Sequence, residues 1–218
     1  DLRAAMEFTL WLTELYQNSA QYDNAQIQLT MLADGLLTPT NNEQKQTYNL
    51  LLVYQLLGTG QVNKAKAQLD KLQHMLHEHP LPRLELKVFI IEQRINFMQG
   101  RPLAAQPEHY AVLMRHHVLE RLLWLELQAL YAAQVGDKEL VGQLLNQALP
   151  LLRRTTSYWR NFAFEYLQRV FNSSENAGQQ LKISDTAEFE RLLKGIPEPY
   201  QQAVIKRENA MIKPGYAN

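Results

Sequence analysis

Four short segments of this sequence share one pattern, a small residue followed five positions later by alanine or valine. The pattern begins at Ala20, Gly60, Gly100 and Gly136, so successive occurrences are 40, 40 and 36 residues apart. Even spacing of this order is typical of helical hairpins that stack along the chain. The repeat therefore constrains the fold more strongly than any single motif does.

The residue types at these corners have a mechanical explanation. A glycine that ends the first helix of a hairpin can adopt the left-handed conformation that terminates it. A small side chain one turn into the second helix lets the two helices approach closely, and that position holds alanine in the first three segments and Val141 in the fourth. The expected structural turn residues are Ala20, Ala25, Gly60, Ala65, Gly100, Ala105 and Gly136.

Hydrophobic periodicity predicts an all-α fold. Apolar residues recur at steps of three and four, as at Leu119, Leu122, Leu123, Leu127 and Leu130, and strict alternation is nearly absent. Glycine and proline breaks predict two domains, residues 1–157 and 158–218. The first would hold four hairpins, at about 1–38, 42–80, 83–112 and 115–154, and the second a C-terminal helical pair with a capping tail. A helical bundle without repeats is the alternative that the pattern leaves open.

The corners and the apolar residues after them resemble those of tetratricopeptide-repeat proteins, in the longer-period form found in bacterial signalling and transcription regulators. The resemblance covers about residues 2–154. Its third unit departs from the pattern where Pro107 follows Ala105, and most of the family's first-helix positions are replaced. The resemblance implies a right-handed superhelical solenoid with capping helices at its C-terminal end, because an open end would expose apolar surface.

Such solenoids bind partners along a concave groove lined by the first helix of each hairpin. We therefore expect a protein or peptide partner, or a neighbouring domain of the same protein, to bind there without covalent chemistry. Tyr54 and Arg94 are the expected anchors, since aromatic and guanidinium groups dominate interface energetics. The candidate groove residues are Glu14, Gln17, Tyr54, Lys87, Arg94 and Glu126.

Composition argues against several classes of function. Lysine and arginine number 22, as do aspartate and glutamate, so no net field favours nucleic acid. No apolar run is long enough for a membrane helix, and the absence of cysteine fits a cytoplasmic protein. Enzymatic motifs are missing, so we expect no catalytic residues and no cofactor. His74, His77 and His79 lie close together, but only His74 and His77 share a helix face and a third ligand is missing, so we expect no metal site.

The sequence leaves two other functions open. The chain could be a structural subunit of an assembly, with apolar helix faces near Trp159 and Phe171 docking another subunit. It could also be a sensor that encloses a small ligand or a signalling peptide. Because Asp1 is not an initiator methionine, we expect either a fragment of a larger protein or a processed form. No oligomeric state is indicated.

Overall fold

The computed structural model describes residues 2–18, 21–34 and 39–154, together with Phe164, Lys194 and Gln201. Within these residues all regular structure is helical, as the apolar periodicity predicts. Eight helices follow one another: α1 (Leu2–Asn18), α2 (Tyr22–Ala33), α3 (Asn42–Gly58), α4 (Val62–Glu78), α5 (Pro82–Met98), α6 (Glu108–Met114), α7 (Val118–Gln134) and α8 (Lys138–Leu152).

The chain divides into two compact units, residues 1–92 and 93–218, so that the boundary falls within α5. In the first unit, α1 packs against α2 and α3 packs against α4, while α3 also contacts both α1 and α2. In the second unit, α7 packs against α8, and α6 contacts α7. From α1 to α4, and from α6 to α8, each helix thus contacts the next one along the chain. Apart from the three single residues, the expected C-terminal domain 158–218 lies outside the described residues.

One backbone hydrogen bond recurs at all four corners between paired helices. The amide of the residue after each small corner residue donates to a carbonyl five positions earlier: Gln21 to Tyr16 at 2.8 Å, Gln61 to Leu56 at 2.8 Å, Arg101 to Asn96 at 2.8 Å and Asp137 to Ala132 at 2.9 Å. This bond is the outer one of the Schellman helix terminator, which needs a left-handed residue next to it.

Glycine supplies the left-handed residue at three of these corners. Gly60, Gly100 and Gly136 have φ values of 77°, 70° and 80°. A residue with a Cβ resists this conformation, which explains the glycines. Ala20, the corresponding residue of the first corner, lies outside the described residues.

The small residue after each corner is buried in three hairpins and exposed in the third. Ala25, Ala65 and Val141 have no exposed surface, at the interface of their helix pairs. Ala105 instead lies exposed in a segment without regular structure, residues 101–107, that precedes α6. Pro107 explains the difference, since a helix that began at Pro102 would place Pro107 in its interior, where proline cannot donate the backbone hydrogen bond.

Each unit has its own apolar cluster. In the first, Leu51 of α3 packs into a cluster with Met6 and Leu10 of α1 and with Leu29 and Leu32 of α2. In the second, the facing sides of α7 and α8 form a larger cluster that also contains Phe164. Hydrophobic burial between helices, more than the intrinsic propensity of each helix, stabilises an arrangement of this kind.

Candidate partner-binding surface

Two of the residues expected to line the groove, Glu14 and Lys87, contact each other. The Lys87 ammonium of α5 donates a hydrogen bond to the Glu14 carboxylate of α1, within the first unit. Lys87 is only 7% exposed, whereas about a third of the Glu14 side chain is accessible. Because the two charges satisfy each other, this ion pair ties α5 to α1 and leaves little of Lys87 for a partner.

Gln17, a third expected groove residue, is buried between helices. Its amide nitrogen donates to the carbonyl oxygen of Leu51 at 2.8 Å and to Oε1 of Gln55 at 3.4 Å. Gln55 in turn donates to the carbonyl of Tyr22 at 2.9 Å and to Oε1 of Gln26 at 3.2 Å. This chain of glutamines links the pair α1 and α2 to α3, so Gln17 contributes to packing between hairpins.

The remaining groove candidates, Tyr54, Arg94 and Glu126, differ in burial and are divided between the two units. Tyr54 of α3 is half-buried in the first unit, and Arg94 of α5 is half-buried in the second. Glu126 of α7 is 1% exposed, which leaves it inaccessible to a partner of the folded chain. The structure brings together Glu14 and Lys87 and buries Gln17 close to α3, and it places Arg94 and Glu126 in the other unit.

One accessible apolar surface of the first unit lies on a single side of α1. Phe8, Trp11 and Leu15 are 58%, 57% and 45% exposed. Their spacing of three and four residues places them on one face of the helix. The rings of Phe8 and Trp11 are in contact, with centroids 5.9 Å apart. We call these three residues the α1 stripe.

The opposite face of α1 is unusually polar for a buried surface. Thr9, Thr13 and Gln17 are all buried there beside Met6 and Leu10. The two threonine hydroxyls are satisfied within the helix, since each donates to the carbonyl four residues earlier, at 2.8 and 2.7 Å. The helix thus buries hydroxyls and an amide while it leaves two aromatic rings accessible to water.

Sequence analysis missed the α1 stripe because it used the apolar residues of α1 only as a sign of helical periodicity. Leu10 lies on a different side of the helix from Trp11 and Leu15, so α1 carries apolar residues on two faces. A helix whose apolar residues occupy two faces requires two partners. That double distribution is the signal in the sequence from which the stripe could have been found.

Charge near the α1 stripe is balanced rather than one-signed. Arg3 and Glu7 lie on the exposed side of α1 and form an ion pair at 3.1 Å. Glu14 is neutralised by Lys87. A partner would therefore meet apolar surface edged by compensated charges, which favours recognition by packing over electrostatic steering.

The described residues contain neither a group of three side chains placed to hold a metal ion nor a helix long and apolar enough to cross a membrane. No protein-family model matches the chain, and the searches of curated proteins and of solved structures find no similar protein. The functional argument consequently depends on the chain's own surfaces.

Proposed function

We propose that this chain is a non-catalytic protein-binding domain with a regulatory or scaffolding role, and that it binds its partner through the α1 stripe. Exposure of Phe8 and Trp11, two contacting aromatic rings on one helix face, is the observation that carries the proposal. Large aromatic groups are enriched at interface hot spots. An accessible apolar patch with a polar rim is typical of protein interaction sites.

The scaffold that we propose is a solenoid of tetratricopeptide-like hairpins, as in bacterial signalling and transcription regulators. Its support is the recurrence of one corner geometry at the 40-residue and 36-residue spacing of the sequence pattern. Consecutive helix contacts within each unit are compatible with it. The absence of cysteine supports a cytoplasmic location.

The size of the α1 stripe limits what kind of partner it can hold alone. Full burial of a large apolar side chain contributes roughly 1.5–3 kcal/mol, and about half of each of these three remains to be covered. Together they would contribute about 3 kcal/mol, which is less than the cost of at least about 4 kcal/mol for association. A stable partner must therefore also contact the residues around the stripe.

Photo-crosslinking at single positions tests the proposal. A benzoylphenylalanine placed at Phe8 should form adducts with a specific protein when the chain is expressed in its native cells. The same group at exposed Lys71 of α4 serves as the matched control and should form none. Adducts from Tyr54 in place of Phe8 would move the binding surface to the polar groove, and no specific adduct from either position would refute a protein-binding role.

A further inference from the structure

We propose that the α1 stripe is the docking face for a helical hairpin, seated as the pair α1 and α2 is seated on α3. This inference rests on the proposed protein-binding role of the stripe and names the shape of its partner. The occupant is an antiparallel pair of amphipathic helices whose facing sides present aliphatic side chains. It takes the place of a hairpin that precedes α1 by one repeat.

Positions equivalent to the stripe are covered in the other first helices of the chain. Adding the corner spacings of 40, 40 and 36 to Trp11 leads to Leu51, Ile91 and Leu127, and all three are buried. The same shift from Phe8 and Leu15 leads to residues that are buried or half-buried: Tyr48, Val88 and Trp124, and Gln55, Ile95 and Tyr131. Only in α1 does this face remain exposed, among the described first helices.

The structure also shows what covers this face in α3. Leu51 packs into the cluster that contains Leu10 of α1 and Leu29 of α2, and Tyr48 packs against the same cluster. Gln55 donates to the carbonyl of Tyr22 at the beginning of α2. The covering element is therefore two helices and their corner, because a single helix would leave part of the row uncovered.

The chemistry of the α1 stripe fits the same kind of cover with a more apolar inner surface. Gln55, which needs polar partners, is replaced at the equivalent position by Leu15, and Leu51 is replaced by the larger aromatic ring of Trp11. This composition is closest to the row Val88, Ile91 and Ile95 of α5, which follows the pair α3 and α4. A hairpin with aliphatic facing residues suits both rows.

A second copy of this chain is a poor occupant because the described hairpins that could serve are already covered. The pair α1 and α2 holds α3 through the Leu51 cluster. The pair α7 and α8 holds Phe164 in its cluster. A second copy could use either of these pairs only by displacing such contacts.

A fusion tests the inference directly. A copy of residues 41–80, which contains α3 and α4 with 17 residues each, is joined in front of Asp1 of the full chain. Position 1 then follows residue 80 as position 81 does in the native chain, so the α1 stripe comes into the register of the α5 row. An isolated hairpin cannot bury its apolar side, and its folding therefore depends on docking.

Circular dichroism and fluorine NMR of 5-fluorotryptophan provide the readouts. We expect the fusion to gain the helix content of two further 17-residue helices. The Trp11 resonance is identified by its loss in Trp11→Phe. We expect it to move in the fusion, and we expect the change in its chemical shift between water and deuterium oxide, which reports solvent exposure, to fall by more than half. The Trp124 resonance should stay in place. The matched control is the same fusion with Phe8→Ser and Trp11→Ser, in which the added residues should remain without helix.

Three outcomes would overturn the inference. The first is an added segment without helix on the unaltered stripe. The second is a folded added segment beside a Trp11 resonance as solvent-sensitive as before. The third is a doubled solution mass of the unfused chain with Trp11 protected, which would make a second copy the occupant. If Phe8 forms specific crosslinks but the added hairpin of the fusion does not dock, the protein-binding role of the stripe stands and a helical hairpin as its partner is ruled out.

Discussion

Replacing Gly136 by alanine should destabilise the second unit by about 1 kcal/mol through backbone conformation alone. Gly136 has φ of 80°, and a Cβ added there would meet no heavy atom within 4 Å, so crowding does not contribute. A left-handed conformation costs an L residue about 1–2 kcal/mol. Part of that loss is offset by about 0.4–1 kcal/mol, because alanine restricts the unfolded chain more than glycine does.

Gly142, six residues later in α8, provides a matched control in the same unit. A Cβ at Gly142 also meets nothing within 4 Å, but its backbone is helical. Gly142→Ala should therefore stabilise the protein by about 0.5–1 kcal/mol, since alanine favours helix over glycine by that amount. One chemical change, made at two equally open positions, should act with opposite sign.

Urea unfolding of the two variants and the parent, followed by circular dichroism and by fluorescence of buried Trp124, measures both effects. Gly136→Asn should lose less than Gly136→Ala, because asparagine enters the left-handed region more readily. A Gly136→Ala variant as stable as the parent would refute the corner geometry on which the repeat argument depends. Equal destabilisation by both alanine variants would refute the assignment of Gly142 to a helix interior.

Three further predictions concern the first unit. Ala65→Leu should overpack the interface of α3 and α4 and lower the free energy of unfolding by about 1–3 kcal/mol. Ala67→Leu, on the exposed side of α4, should change it by less than about 0.5 kcal/mol in the same urea titration. Glu14→Gln should lower the free energy of unfolding by about 1–3 kcal/mol, because it leaves the buried Lys87 ammonium without its carboxylate. Glu7→Gln breaks an exposed ion pair and should lower it by less than about 1 kcal/mol. Equal losses in the two variants would contradict the difference in burial. Burial raises the pKa of Tyr48 above its ordinary value of about 10. The contribution of the neutral Tyr48 to stability should therefore be complete below pH 10 and should fall as the pH rises further. Tyr48→Phe should accordingly lose less melting temperature at alkaline pH than the parent does.

The corners could be predicted from sequence because their determinants are local. A left-handed glycine and a small residue one turn later act within a few positions of each other, and the same hydrogen bond recurs wherever they occur. The third segment differs because Pro107 would lie inside its second helix, which leaves Ala105 in a non-helical segment. That outcome depends on the positions of the prolines as much as on the repeat.

The partner-binding surface could not be predicted in the same way because it depends on contacts between distant helices. Glu14 and Lys87 are 73 positions apart, and only folding brings them together. Gln17 is drawn into the interface by acceptors on α3, which no property of α1 reveals. The polar or apolar character of a residue thus fails to indicate its exposure in α1, where Thr13 is buried and Trp11 is accessible.

The claim that the exposed face of α1 receives a protein partner is tested most directly by hydroxyl-radical footprinting. Oxidation of Trp11 and Trp124 is measured by mass spectrometry in the chain alone and in the complex isolated from native cells. We predict that Trp11 is oxidised faster than Trp124 in the chain alone and that its oxidation falls at least severalfold in the complex, while oxidation of Trp124 stays low in both. Equal oxidation of Trp11 with and without the partner would contradict the proposed surface.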